Sequence, residues 1–221
     1  MAEPKQKNCI FIWIPKNAGT SVAATLGLYA GMNMHTDTSV ANFTNSGAVT
    51  FGHMDIRSLR QSGIISDEFY HDAFKFAIVR NPYTRLVSLY LYFLSLHYNF
   101  SDGRGYKEIK KGMTFTGFCK FLKESSIPPV GEYNINGLSQ ANPQYDWIRN
   151  NANFIGRYEN LKWSWGVICK KTGIENNKLA KLNKSVKKIP WRNHYTPFCK
   201  NFCKSFYEVD FKVFGYDMDF I

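Results

Sequence analysis

Short apolar runs that end in polar, proline- or glycine-bearing turns recur along the chain, and residues at helical spacing follow them. In the first, Phe11-Ile12-Trp13-Ile14 gives way abruptly to Pro15-Lys16-Asn17-Ala18-Gly19-Thr20-Ser21, after which Val22, Leu26 and Tyr29 recur at i, i+4 and i+7. The run predicts a buried strand and the recurrence one face of a helix, so the turn between them opens that helix. The second repeats this order, with Phe76–Val79, then Arg80-Asn81-Pro82, then an apolar helix running through Leu86 to Leu96. Asn81 suits the N-cap and Pro82 the first helical position, where a missing N–H costs nothing. Shorter strands are predicted at Ala48–Phe51 and Phe154–Tyr158, and a helix at Leu161–Thr172 that closes at Gly173. Phe115, Phe118, Cys119 and Leu122 mark one face of another helix, and the last segment carries one through Cys203 to Tyr207. Strands alternating with helices predict an α/β fold, a three-layer sandwich with a central, mostly parallel sheet. No repeat or low-complexity linker divides the chain, so residues 1–221 are expected to form one domain.

The chemistry concentrates in the turns. The first helical turn offers free N–H groups and the positive end of its dipole, and Gly19 would let the backbone approach a phosphate. Lys16, Thr20 and Ser21 add donors. The string does not satisfy G-x-x-x-x-G-K-[ST], since its lysine precedes the glycine, which disfavours an ordinary Walker NTPase. The plainer alternative is a strand-to-helix connection with a solvated lysine. Arg80 is predicted at a strand's carboxyl end, where open α/β sheets bind ligands, and Ser88 lies two turns into the following helix. Arg80 suits bidentate phosphate binding; surface ion pairs of Arg80 and Arg85 are the alternative.

Together, "IPKNAGTS" and "VRNPYTRLVSLY" resemble the two donor signatures of the sulfotransferases that use 3'-phosphoadenosine 5'-phosphosulfate (PAPS). "FIGRYENL" at 154–161 and "YEVDFKVFGYD" at 207–217 are similar to segments of the carbohydrate branch of that superfamily, Golgi-type and bacterial, while residues 97–150 carry little likeness. The resemblance implies a P-loop NTPase-like fold and sulfuryl transfer from PAPS to an acceptor hydroxyl, with a carbohydrate as the expected acceptor, leaving adenosine 3',5'-bisphosphate (PAP). It implies that Lys16, Asn17, Ala18, Gly19, Thr20 and Ser21 form the 5'-phosphosulfate loop and that Arg80 and Ser88 hold the 3'-phosphate. "LNKSVKK" resembles the late basic loop that closes over the donor, which makes Lys184, Ser185 and Lys188 further candidates; a solvated lysine-rich loop is the alternative. No metal is expected.

His53, in Gly52-His53-Met54 after the third predicted strand, would lie on the same sheet edge as both phosphate turns. There it could take the proton of an attacking hydroxyl, as a histidine in a similar Gly-His context does in some carbohydrate sulfotransferases. A core or capping histidine is the alternative, and Glu159 the alternative base. Lys16 would stabilise the leaving phosphate oxygen. "GEYNINGLSQANPQYDWIRN" is rich in amides and aromatics, so Gln140, Gln144, Tyr145 and Trp147 are candidates for an acceptor groove, with a turn and surface helix as the alternative. Arg157 is a further acceptor or anion contact.

Twenty-eight Lys and Arg against seventeen Asp and Glu give a net charge of +11, which suits a polyanionic donor but equally an acidic acceptor, nucleic acid or an anionic membrane surface. No nucleic-acid fold signature is present, so nucleic acid is not expected as a partner. The five cysteines show no C-x-x-C and no neighbouring zinc ligands, which predicts reduced, mostly buried thiols. "MAEPKQKN" leads straight into the first strand and no apolar run reaches the roughly 18 residues of a membrane span, so a cytoplasmic protein is expected. A kinase sharing the fold and a non-catalytic polyanion-binding module are the rival readings.

Overall fold

The computed structural model describes residues 7–26, 48–99, 109, 112–124, 138–174, 178–180 and 189–220, with side chains described only to Ser95 in the second span. Strands β1 (Cys9–Ile12), β2 (Ala48–Val49), β3 (Phe74–Val79) and β4 (Phe154–Arg157) form a sheet of order β2-β1-β3-β4, parallel at every pairing. The register sets Cys9 against both Ala48 and Phe74, and Val79 against Arg157. Parallel pairing brings every strand's carboxyl end to one edge. The chain leaves β1 toward β2 and leaves β3 toward β4, so the crevice between β1 and β3 is the switch point where ligands of open α/β sheets bind.

The helices are α1 (Gly19–Thr25), α2 (Ile56–Gln61), α3 (Asp67–Asp72), α4 (Pro82–Asn99), α5 (Phe115–Glu124), α6 (Gln144–Ile148), α7 (Leu161–Thr172), α8 (Pro197–Phe206) and α9 (Glu208–Phe214). Alternate strand residues feed opposite faces. Ile10, Ile12, Ala77 and Val79 pack with Ile56, Leu59, Trp147 and Phe214, while Cys9, Phe11, Phe76 and Ile78 pack with Val22, Trp165 and Ile168. Helices therefore cover both faces, giving three layers. A third cluster joins Leu86, Leu89 and Phe93 of α4 to Phe115, Phe118, Cys119 and Leu122 of α5 and to Phe202 and Cys203 of α8.

Several expectations hold in detail. Helix α7 starts and stops as predicted, with Gly173 in the left-handed conformation (φ 76°), and the four apolar residues of α5 are all buried. All five cysteines are free and buried. The strand predicted through Ile14 instead closes at Ile12, because pairing to β3 ends there and the Ile14 N–H turns back to the Ile12 carbonyl at 3.1 Å. Helix α1 stops at Thr25, and Tyr29 lies outside the described residues. Helices α2 and α3 were not predicted, although Asp55 and Ser66 cap them through the backbone N–H groups of Arg57, Ser58 and Phe69. Helix α6 is no surface helix: Gln144, Trp147 and Ile148 are buried. No described helix is long and apolar enough to cross a membrane.

Candidate active site

In the turn after β1, Lys16 (φ 69°) and Ala18 (φ 62°) are both left-handed. This hand costs a non-glycine residue about 1–2 kcal/mol, and alternation of hand along a turn points successive N–H groups to one side as an anion-binding nest. The turn is pinned by Asn17, 1% exposed, whose Nδ2 donates to the Ile78 carbonyl at 2.8 Å and to Gln144 Oε1 at 2.7 Å. Asn17 Oδ1 is buried without a hydrogen-bond partner. Ser21 and Val22 both donate to the Ala18 carbonyl, so the N–H groups of Gly19 and Thr20 precede the first intrahelical bond. Glycine at position 19 has a second use, since a Cβ there would lie 1.8 Å from Trp13 Nε1. The indole occupies the space that a side chain would need.

The ammonium of Lys16 stands 3.9 Å from the Tyr92 ring centroid. Burial, with the Arg80 charge adding to it, pulls its pKa down to about 8. Across the crevice, Arg80 donates through Nη1 to the Lys16 carbonyl (3.3 Å) and through Nε to Thr84 Oγ1 (2.9 Å), with Tyr158 4.2 Å beneath its guanidinium. Asn81 caps α4 as predicted, its Oδ1 accepting from the Tyr83 N–H at 3.0 Å. Thr84, Ser88 and Tyr92 follow at four-residue spacing, which puts them on one face of α4. Arg80, Ser88 and Lys16 are thereby brought along a single ridge.

Two polar residues behind the ridge are buried crosslinks rather than surface groups. Arg85, 0% exposed, donates to the carbonyls of Pro15 (3.2 Å), Asn142 (3.0 Å) and Gln140 (2.8 Å) and makes no surface ion pair. Gln144 accepts from Asn17 and from the Arg80 N–H (2.8 Å) and donates to the Arg80 carbonyl (2.8 Å) and to Asp210 Oδ2 (3.2 Å). Asp210 also accepts from the N–H groups of Gln144 and Tyr145, supplying α6 with the cap that Pro143 cannot. Burial raises the Asp210 pKa, opposed by Arg85 and by those N–H groups.

His53 follows β2, and its Nδ1 lies 3.0 Å from the Trp13 carbonyl. A carbonyl only accepts, so Nδ1 carries the proton and Nε2 keeps its lone pair. Trp13 meets the imidazole edge-on at 5.2 Å and Trp147 at 6.3 Å. Burial lowers its pKa to about 4, the Trp13 carbonyl opposing and the charges of Lys16 and Arg85 adding, so the ring is neutral at pH 7. Glu159 is committed elsewhere: Oε1 accepts from the Asn81 N–H (2.8 Å) and Oε2 from the Tyr216 hydroxyl (2.9 Å).

The predicted acceptor residues are more scattered. Gln144 is enclosed and faces no solvent. Gln140 is half-buried with its carbonyl on Arg85, and the Tyr145 hydroxyl accepts from Asn150 Nδ2 at 3.3 Å. Arg157 bonds the Phe214 carbonyl and lies 4.7 Å from the Tyr216 ring centroid. Lys184, Ser185 and Lys188 lie outside the described residues. A cavity of about 490 Å³ lined by Arg57, Arg60, Gln61, Asp67, Tyr70 and Asn151 contains none of the predicted groups, and Arg60 in it is already paired with Asp67 at 3.6 Å. Sequence reasoning missed Trp13, Thr84, Tyr92 and Tyr158; only the four-residue spacing from Arg80 could have signalled Thr84 and Tyr92. A sequence model described as "Sulfotransferase family" matches residues 3–217, nearly the whole chain. Comparison with curated proteins gives no match.

Proposed function

Because the chain belongs to the sulfotransferase family, whose donor is PAPS, we propose that it transfers a sulfuryl group from PAPS to an acceptor hydroxyl, with His53 as general base. The observation that carries this reading is the meeting of two cationic turns at the switch point, Arg80 bonded to the Lys16 carbonyl, beside a neutral histidine whose Nε2 is free to accept. A donor with phosphate at both ends needs two anion sites, and a cationic turn on each side of this crevice supports that reading.

The nest at Lys16–Ser21 holds the 5'-phosphosulfate, and Arg80 and Ser88 hold the 3'-phosphate, with Lys184, Ser185 and Lys188 as further candidate donor contacts. The acceptor oxygen attacks sulfur in line, the bond from sulfur to the bridging phosphate oxygen breaks, and the hydroxyl proton passes to His53 Nε2. Negative charge gathers on the leaving oxygen of PAP, where Lys16 meets it. The donor's charge also raises the pKa values of both His53 and Lys16, so a histidine held low in the free protein becomes a stronger base once the donor is bound. A carbohydrate acceptor is the reading favoured by the likeness to the carbohydrate branch, with Gln140, Tyr145 and Arg157 as its contacts.

Incubation with PAPS labelled in its sulfur, over a panel of glycan and small-molecule hydroxyls, should label an acceptor, whereas ATP labelled in its γ-phosphate should not. Lys16→Ala should lower turnover by about 10²-fold or more, and His53→Ala should abolish it while PAP affinity is kept. Phosphoryl transfer from ATP, or full activity of folded His53→Ala, would sink the assignment.

A further inference from the structure

Trp13 touches both halves of the reaction. Its carbonyl fixes the His53 tautomer at 3.0 Å, and its indole meets the imidazole at 5.2 Å with the planes at 70°. The same indole fills the space beside Gly19, where a Cβ would fall 2.0 Å from Cδ1. Behind it the rings form a column into the sheet: Phe11 is stacked on Trp13 at 6.3 Å and on Phe76 at 5.2 Å. Trp147 also meets His53, at 6.3 Å, with its Nε1 buried and unpaired.

We propose that Trp13 is a positioning residue that couples the donor loop to the base, holding the His53 ring and the first turn of α1 as one packed unit. This rests on the reading of His53 as general base. An imidazole tethered only through Nδ1 can still swing about that hydrogen bond. The edge-on indole blocks that swing and excludes water from one side, so Nε2 keeps one direction. Lys16 from the donor loop and Arg85 from α4 are the charges that act on His53, and both are cations. Loosening the ring therefore leaves its charged neighbours in place and changes chiefly its hydration and aim.

The test uses the full chain as Trp13→Leu and Trp13→Phe, with folding checked by circular dichroism. His53 is titrated by NMR on protein carrying labelled histidine, PAP binding is measured by calorimetry, and kcat and KM are followed against pH. In Trp13→Leu, the His53 pKa should rise toward 6.5 by about one unit, kcat should fall at least about tenfold, and PAP affinity should be kept. Trp13→Phe, which retains a ring but leaves the gap at Gly19, should show smaller changes in the same direction and recover most of kcat. An unchanged His53 titration and kcat in folded Trp13→Leu overturns the proposal; if Leu prevents folding, an unchanged His53 titration in Trp13→Phe does so. Should no acceptor be labelled by the wild-type protein, the NMR titration still reports whether Trp13 holds His53. Failure of the sulfuryl-transfer reading and failure of this one are thus separable.

Discussion

Replacement of Gln144 should damage both turns of the proposed donor site at once. Its side chain is the acceptor for Asn17 Nδ2 and the Arg80 N–H and the donor to the Arg80 carbonyl, at 2.7–2.8 Å in each case. In Gln144→Met the volume is nearly kept and the hydrogen bonds are lost. Asn17 Nδ2 still has the Ile78 carbonyl, and Asp210 still has two backbone donors, so the uncompensated groups are the N–H and C=O of Arg80. Each costs about 1–3 kcal/mol when left unpaired, which gives a loss of roughly 2–6 kcal/mol. For a chain of this size that lowers Tm by roughly 10 °C. Urea unfolding followed by circular dichroism measures the loss, and calorimetric titration with PAP measures its functional side, which should weaken because neither Lys16 nor Arg80 is held in register. Gln144→Glu separates charge from geometry: it keeps the acceptors, loses the donor and sets a carboxylate against Asp210, so it should be as harmful as Met at pH 7 and less so in acid. A Met variant within about 0.5 kcal/mol of wild type, with PAP affinity unchanged, would refute the reasoning.

Arg80→Ala should weaken PAP by about 10- to 100-fold, the worth of charge-assisted hydrogen bonds to a phosphate, and equal affinity by calorimetry would remove its role. Gly19→Ala puts a methyl into the Trp13 indole, which is backed by Phe11 and cannot simply retreat; a stability loss of about 1–3 kcal/mol is expected by thermal melt, and Trp13→Leu/Gly19→Ala should recover part of it. Acidification should cost stability through His53. Its folded pKa of about 4 lies below the unfolded value of 6.5, so between these limits the unfolded chain binds more protons. The contribution is complete above pH 6.5 and is lost as pH falls toward 4, with a slope of at most about 1.4 kcal/mol per pH unit. Denaturant titrations across that window should show the slope reduced in His53→Gln.

The local grammar was legible. The apolar run into Pro15–Ser21, Asn81-Pro82 at the head of α4, the span of α7 with Gly173 and the buried stripe of α5 all rest on periodicity and capping, which act within a few residues. The ends of β1 were misread because strand length depends on a partner, and β3 stops pairing at Ile12. Helices α2 and α3 escaped notice because six-residue helices carry too little periodicity, though their caps were in view.

From sequence alone came the two polar turns, their cations and a histidine at a strand end, because strand-turn-helix order in a parallel sheet sends such residues to one edge. Only the tertiary structure decided what those residues do to one another. It set Asn17 on Gln144 across 127 positions of chain, turned Arg85 from a surface cation into a buried tie between carbonyls, and laid Trp13 against both Gly19 and His53. No local pattern encodes such contacts. They arise when long-range packing removes water and leaves each buried polar group to find its partner in another element.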